Sequence, residues 1–325
     1  MVLTIFSLSI KSDFMIDKYQ HTYRRGGDAV TLLQFQVFVT VIESKSFTKA
    51  SEQLGLSQSA VSQTISALEG TLGVMLLNRS RSGITPTKIG EHMLMHVREI
   101  LRRTMLIKQE ADALRGLEVG TLRIGSIPGI ASKLLPKIIG TYASRFPGIE
   151  LIVSEGSQEE VTNWVFHSVV DLGLLPLPIE GVGSFPLIQD HLQVFLTPHH
   201  PLQQQASLSI EQLANEPLIL PKYSCVGQVR EQFAAVGLVP QVLFEVRDTA
   251  TILAMVQEGI GVAVLPELSI PTSLHPTPAL PLLPASPRTL GLVTRCIQTV
   301  SPAASKFVIH AQEYVKQDCP HLLAV

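Results

Sequence analysis

Apolar residues return every three to four positions after Thr31: Leu32, Phe35, Val39 and Ile42. That spacing predicts an amphipathic helix. Thr31 followed by Gln34 has the form of a capping box. Ser46 is a cap for a second short helix, predicted over Phe47–Leu54, and Gly55 stands where a helix ends in left-handed backbone. Ser57 is a cap for a third, in which Val61, Ile65 and Leu68 repeat at i, i+4 and i+7. Gly70 and Gly73 loosen its end. From Leu76 to Thr85 the pattern changes to two short extended arms around Ser80-Arg81-Ser82-Gly83, which reads as a small hairpin, or wing. Pro86 and Thr87 then start a long helix, with Thr87 as its cap, running to about Leu114. At 1.5 Å per residue it spans roughly 40 Å. Its apolar face is uneven, and a long helix outside a compact core seeks a partner helix.

After Gly120 the period changes. Strands are predicted at Thr121–Gly125, Ile149–Ser154, Asp171–Leu175 and Leu192–Leu196, with helices at Ala131–Phe146 and Gln158–Ser168 between them. A second alternating stretch has strands near Leu218–Leu220, Gln241–Val246 and Val262–Leu265, and helices near Gln228–Val236 and Thr251–Glu258. Residues 271–287 are Pro-rich and are expected to be loop or edge. A strand near Leu290–Thr294 and a helix near Pro302–Lys316 finish the pattern. Alternating β and α with mostly apolar strands argues a parallel or mixed α/β sheet.

Composition narrows the class. Apolar residues at 46% and charged residues at 16% supply buried cores and exclude a disordered chain. Charge is uneven: residues 1–115 carry 14 Lys+Arg against 10 Asp+Glu, and residues 116–325 carry 11 against 17. The basic end is the one suited to nucleic acid. Cys225, Cys296 and Cys319 are few, odd in number and widely spaced, so neither a disulfide framework nor a CxxC metal site is expected. No run of about 18 apolar residues is present, so no membrane span is expected. The opening stretch is apolar without a preceding positive charge, unlike a cleaved signal peptide. Residues 1–29 are expected to form a disordered extension or to reflect an early start, with Met15 as an alternative.

The sharpest feature is residues 47–68: helix, tight turn at Gly55-Leu56-Ser57, second helix. This is the pattern of a helix-turn-helix, with Ala50 where crossing helices need a small side chain. The second helix opens with Ser57, Gln58, Ser59, Ser62, Gln63 and Thr64, short polar residues able to donate and accept. Gln can pair bidentately with an adenine edge, and Ser with phosphate or base. Arg79 and Arg81 in the wing suit phosphate or minor-groove contact.

Residues 32–90 resemble the N-terminal domain of LysR-type transcriptional regulators. The resemblance rests on Phe38-Val39-x-Val41, then Ser46-Phe47-Thr48-x-Ala50-Ser51-x-x-Leu54-x-Leu56-Ser57-Gln58-Ser59-Ala60-Val61-Ser62. It continues as Ile65-x-x-Leu68-Glu69-x-x-Leu72-Gly73-x-x-Leu76-Leu77-x-Arg79 and ends at Thr87-x-x-Gly90. Looser marks extend it to about Lys316: Leu122-Arg123-Ile124-Gly125, Val170-Asp171-Leu172-Gly173 and Gln257-Glu258-Gly259-Ile260-Gly261. Pro86, where a Leu or similar residue is commoner, is a departure.

The resemblance implies an α/β class protein: an N-terminal winged helix-turn-helix (30–90), a linker and dimerisation helix (87–115), and a regulatory domain (121–325). The last is expected as two α/β subdomains that fold like periplasmic solute-binding proteins, one from 121–196 and 295–325, the other from 200–292. The implied function is a ligand-responsive, cytoplasmic DNA-binding regulator, not an enzyme. Its partners would be double-stranded DNA, a small-molecule effector, RNA polymerase and further copies of itself, as a homodimer or homotetramer, with no membrane. No cofactor or metal is expected.

Ligands in α/β sheets bind beyond the C-terminal ends of strands. Four corners qualify: Ser126, Ile127 and Pro128; Gly156 and Ser157; Ser224 and Cys225; Arg247 and Thr249. Hydroxyls at helix N-termini suit a carboxylate or other small anion, so Ser126, Ser157 and Ser224 are candidate contacts. Each hydroxyl equally suits a helix cap. Arg247 fits an anionic effector or a structural ion pair, and Cys225 a sensing thiol or a buried bystander.

Other chemistry finds no support. His92 and His96 have zinc-compatible i, i+4 spacing, but no Glu for HExxH and no evident third ligand. There is no GxSxG elbow, Walker loop or GxGxxG fingerprint. The regulatory half alone would also suit a solute-binding protein for transport, an alternative that the helix-turn-helix argues against.

Overall fold

A computed structural model describes residues 29–80, 83–128, 134–222, 225–270 and 277–323. The expected extension, apart from its last residue, lies outside them, as do Arg81 and Ser224. The chain forms two compact units that divide between Arg103 and Thr104.

The first unit begins with α1 (Leu32–Ser44), α2 (Phe47–Leu54) and α3 (Gln58–Leu72). Their starts follow the sequence: Thr31 and Gln34 form both halves of a capping box, Ser46 accepts from Lys49 N, and Ser57 accepts from Ala60 N. Their ends lie at Lys45, Gly55 and Gly73, all in left-handed backbone. The core of α1 is Val37, Phe38 and Val41, whereas Leu32, expected on the apolar stripe, is 47% exposed. The 3.6 period there is shared by two registers, and Phe35, Val39 and Ile42 sit at the margin of the core. Strands β1 (Leu77–Ser80) and β2 (Gly83–Pro86) form the expected antiparallel wing, with Arg79 opposite Ile84. Helix α4 (Lys88–Leu114) follows, and its first turn is capped by the Thr87 hydroxyl, which accepts from Gly90 N at 3.0 Å.

The second unit holds two sheets. Its elements in chain order are β3 (Gly120–Ser126), α5 (Leu135–Arg145), β4 (Ile149–Glu155), α6 (Gln158–Phe166), β5 (Leu172–Pro176), β6 (Gly183–Asp190) and β7 (Leu192–Phe195). They continue as β8 (Leu208–Ser209), α7 (Ile210–Leu213), β9 (Leu218–Pro221), α8 (Val226–Ala235), β10 (Val242–Val246) and α9 (Thr249–Gln257). The last are β11 (Val262–Pro266), β12 (Ala279–Leu283), β13 (Arg288–Thr294) and α10 (Pro302–Asp318). The five-stranded sheet has order β4-β3-β5-β13-β6, and the six-stranded sheet has order β10-β9-β11-β7-β12-β8. We call the two halves lobe I and lobe II.

The lobes are cut differently from the expectation. Strand β7, expected in the first subdomain, pairs with β11 and β12 in lobe II. Strand β13, expected near the end of the second, pairs with β5 and β6 in lobe I. The chain therefore crosses at Asp190–Leu192 and returns between Leu283 and Arg288. Three strands were not predicted from the sequence: β6, β12 and the two-residue β8, which is too short to leave a periodic signal. Pro186 interrupts β6, which is tolerable because β6 is an edge strand with a register shift at that point. Strand β12 occupies part of the Pro-rich segment, yet it is internal. Its first half pairs with β7 and its second with β8.

Helix α6 packs closely on lobe I because Gly125 and Gly173 face each other across β3 and β5. A Cβ on either would lie 2.9 Å from a valine of α6. This gives a steric reason for both glycines in the family-like strings.

Candidate nucleic-acid interface and effector cleft

In the first unit, Val61, Ile65 and Leu68 are fully buried and anchor α3, and Ala50 is fully buried at the crossing with it. The opposite side of the first turns of α3 is polar. Ser57, Gln58, Ser59 and Gln63 are exposed, and Ser62 is half-buried. The Ser57 and Ser59 hydroxyls lie 2.9 Å apart. Thr64 differs from its neighbours: its hydroxyl donates back to Ala60 O at 2.8 Å. Arg79, exposed on β1, has its guanidinium 5.0 Å from the centre of the Phe47 ring. That cation–π contact holds a positive charge beside the start of α2.

Sequence reasoning gave Glu69 no role. It is buried at 6% exposure, and one carboxylate oxygen accepts from Leu76 N at 2.7 Å and Leu77 N at 3.2 Å. It is a brace for the wing.

In the second unit a cavity of 740 Å³ opens between the lobes, near the ends of β3, β4, β9 and β11. That is the size of a small-molecule site. Six predicted residues line it: Ile127, Pro128, Gly156, Ser157, Arg247 and Thr249. Gly156 is required sterically, since a Cβ there would meet Trp164, the sole tryptophan, at 2.7 Å. Ser157 caps α6 in a reciprocal box with Glu160. The Ser157 backbone and side-chain hydrogen bonds hold the Glu160 carboxyl below the usual carboxylate range, and Arg247 adds to the effect. Asp248 caps α9, accepting from Thr251 N at 2.9 Å and from the Thr251 hydroxyl at 2.8 Å. These bonds lower its pKa.

Two expected contacts lie elsewhere. Ser126 is fully buried, and its hydroxyl donates to Ile127 O at 3.4 Å. Strand parity explains it: Leu122, Ile124 and Ser126 share the core-facing side of β3. Cys225 is 2% exposed in the lobe II core, with its thiol donating to Val264 O at 3.5 Å. Burial pushes that thiol up to about 12, against a smaller opposing pull from Arg288. It is therefore a thiol at neutral pH, without the nucleophilic thiolate a sensor needs. A thiol reagent at pH 8 is expected to leave Cys225 unmodified in the folded chain and to label it after unfolding in urea. Rapid labelling of native Cys225, followed by peptide mapping, would contradict this placement.

The cleft also contains residues not read from the sequence: Glu155, Glu159, Glu160 and Asn163. Among the described residues no cluster of His, Cys, Asp and Glu could hold a metal ion. No described helix is long and apolar enough to cross a membrane.

Comparison with known proteins decides the family. Residues 115–316 match the LysR substrate binding domain, and residues 32–91 match the bacterial regulatory helix-turn-helix protein, lysR family. The chain belongs to the LysR family of transcriptional regulators. It is 33% identical to the HTH-type transcriptional regulator YvbU of Bacillus subtilis over 287 residues, 87% of this chain and 98% of the relative. It is 36% identical to the regulator LrrA of Synechococcus elongatus over 243 residues, 74% of this chain and 82% of that one. The fold matches a full-length variant of OxyR from Pseudomonas aeruginosa with TM-score 0.71 at 24% identity, covering 89% and 98% of the two chains. It matches CbnR complexed with its target DNA with TM-score 0.62 at 19% identity, covering 87% and 99%. As a LysR-type protein the chain is a DNA-binding transcriptional regulator with an effector-binding domain, not an enzyme. The matched helix-turn-helix removes the transport alternative.

Proposed function

We propose that this regulator binds a two-fold interrupted operator in the cytoplasm as a homodimer, or as a homotetramer of two such dimers. Each head lays the start of α3 in a major groove. The observation that carries the reading is the face of α3. Gln58, Ser59, Ser62 and Gln63 are on its polar side, with Val61, Ile65 and Leu68 buried behind them. Ser57 and the helix N-terminus suit a phosphate, as does Arg79 on β1. Thr64, bonded to its own helix, contributes less than its neighbours. Arg81 is assigned to the same phosphate contacts on sequence grounds alone, and so is Ser224 to the effector.

Effector binding between the lobes changes their relative setting, and through the assembled copies the spacing of the heads and contact with RNA polymerase. Ser157, Arg247 and Thr249 are the predicted polar residues that reach the cavity. Arg247 is the cationic side chain among its described walls, and an anionic group of the effector would turn toward it.

An electrophoretic shift assay on DNA upstream of the gene tests the reading, with binding expected above the nonspecific background. Gln58→Ala is expected to lower specific affinity by about 1–3 kcal/mol, roughly 5- to 150-fold, with little change on nonspecific DNA. Unchanged affinity for the operator would remove Gln58 from the reading face.

A further inference from the structure

The cavity and the matched substrate binding domain imply a small-molecule effector; the charge on the walls bears on what kind. Lobe I contributes three carboxylates to the cavity, Glu155, Glu159 and Glu160, and lobe II contributes Arg247. Glu160 is occupied, since its carboxylate accepts from Ser157 N at 2.8 Å. Glu155 and Glu159 are exposed, and among the described residues neither has an ion-pair partner. Glu155 ends β4 and Glu159 lies in the first turn of α6, so the two approach the cavity from consecutive elements.

The helix ends do not reverse this balance. A helix N-terminus attracts an anion through its free N–H groups and dipole. At α6 that pole already meets Glu159 and Glu160. At α9 it already meets the Asp248 carboxylate. A second anion at either end would face a carboxylate of the protein itself. The remaining walls include Ile127, Pro128, Pro221 and Leu265, which suit a short hydrocarbon.

From this arrangement we infer that the effector carries a protonated amine, held between Glu155 and Glu159, on a short apolar body. The inference rests on the effector cleft of the proposed function and names its ligand class. An amino acid would add a carboxylate facing Arg247. A polyamine would bind through its ammonium groups alone.

Trp164 supplies the readout, because its ring packs against Gly156 at the cavity wall. The full-length chain is titrated with the standard amino acids, putrescine, spermidine and agmatine as amine probes. Succinate, inorganic phosphate and D-glucose are the probes without an amine. At least one amine probe is expected to shift Trp164 emission and raise the melting temperature. In Glu155→Gln/Glu159→Gln its Kd is expected to rise at least tenfold. Glu180→Gln, which removes one carboxylate from an exposed loop outside the cavity, is expected to keep the response. Circular dichroism confirms that each variant is folded. A saturable response confined to succinate, phosphate or glucose overturns the inference while leaving the cleft intact as an effector site. Silence toward every amine probe, or amine binding unchanged in the double variant, also overturns it. The operator-binding assay is scored on the same preparations, so failure of the regulator reading would show separately, as loss of specific DNA binding in the unmodified chain.

Discussion

Asp190→Ala is expected to destabilise the second unit by about 3–5 kcal/mol, the usual cost of stranding one member of a buried ion pair. Asp190 is fully buried at the end of β6, where the chain leaves lobe I. One carboxylate oxygen accepts from Arg288 Nε at 3.1 Å and from Arg288 Nη2 at 2.7 Å. The other accepts from Leu268 N at 3.1 Å. Arg288 opens β13, the strand on which the chain returns to lobe I, and its side chain is only 9% exposed. Leu268 follows β11 of lobe II but belongs to the core of lobe I. One carboxylate thus ties together the outgoing crossing, the returning crossing and the segment after β11. Removing it leaves a guanidinium without its buried partner and strands the Leu268 N–H.

The companion experiment separates charge from packing. Asp190→Leu combined with Arg288→Met removes both charges and is expected to recover much of the loss, since apolar pairs of similar volume often replace buried ion pairs at little cost. Urea unfolding followed through Trp164 reports the second unit selectively, because the chain has one tryptophan and it lies there. A single variant that unfolds at the wild-type midpoint would show that the pair contributes nothing net. Because both crossings are held at this point, the single variant is also expected to blunt the effect of effector on DNA binding.

What could be read in advance followed local chemistry. The helices of the head were legible because each boundary is written in a few adjacent residues: Thr31 with Gln34, Ser46, Gly55, Ser57, Gly73. The cleft was legible where a cap marked a helix start, as at Ser157 and at Asp248 beside Thr249. It failed where the outcome depended on parity or on distant partners. Ser126 looked like a loop hydroxyl, but one residue of strand register turned it into the core. Cys225 depended on Val264, 39 residues away, for its burial. Strand β6 was hidden by Pro186, and β12 by the prolines around it. Both are strands because neighbours far along the chain offer them a place. The subdomain cut erred for the same reason, since nothing local to β7 or β13 states which sheet each will join. Glu155 and Glu159 read as ordinary solvated charges, and only the meeting of two lobes gives them a shared cavity. The same limit applied to Glu69, whose partners lie seven and eight residues ahead, across a turn.

Glu69→Ala is expected to abolish operator binding although the side chain is turned away from the proposed reading face. Its carboxylate oxygen accepts from Leu76 N and Leu77 N, which open the wing. Alanine strands two buried donors, at about 1–3 kcal/mol each, or about 2–6 kcal/mol together. The consequences run forward along the chain. Leu76 O accepts from Thr87 N at 2.9 Å, so the first residues of the wing also position the cap of α4. Arg79, three residues on, reaches Phe47 at the start of α2. A wing released at Leu76 therefore loses the phosphate contact proposed for Arg79 together with the alignment of α2. Glu69→Gln keeps one acceptor oxygen but loses the charge. Charge-assisted bonds are roughly twice as strong as neutral ones, so it is expected to fall between wild type and Glu69→Ala. Thermal melting followed by circular dichroism, together with operator affinity, checks this order. The Trp164 transition is expected to stay where it is, because the second unit is untouched. Wild-type operator affinity in Glu69→Ala would mean that the wing is held by something other than this carboxylate. A shift in the Trp164 transition would mean that the two units unfold as one.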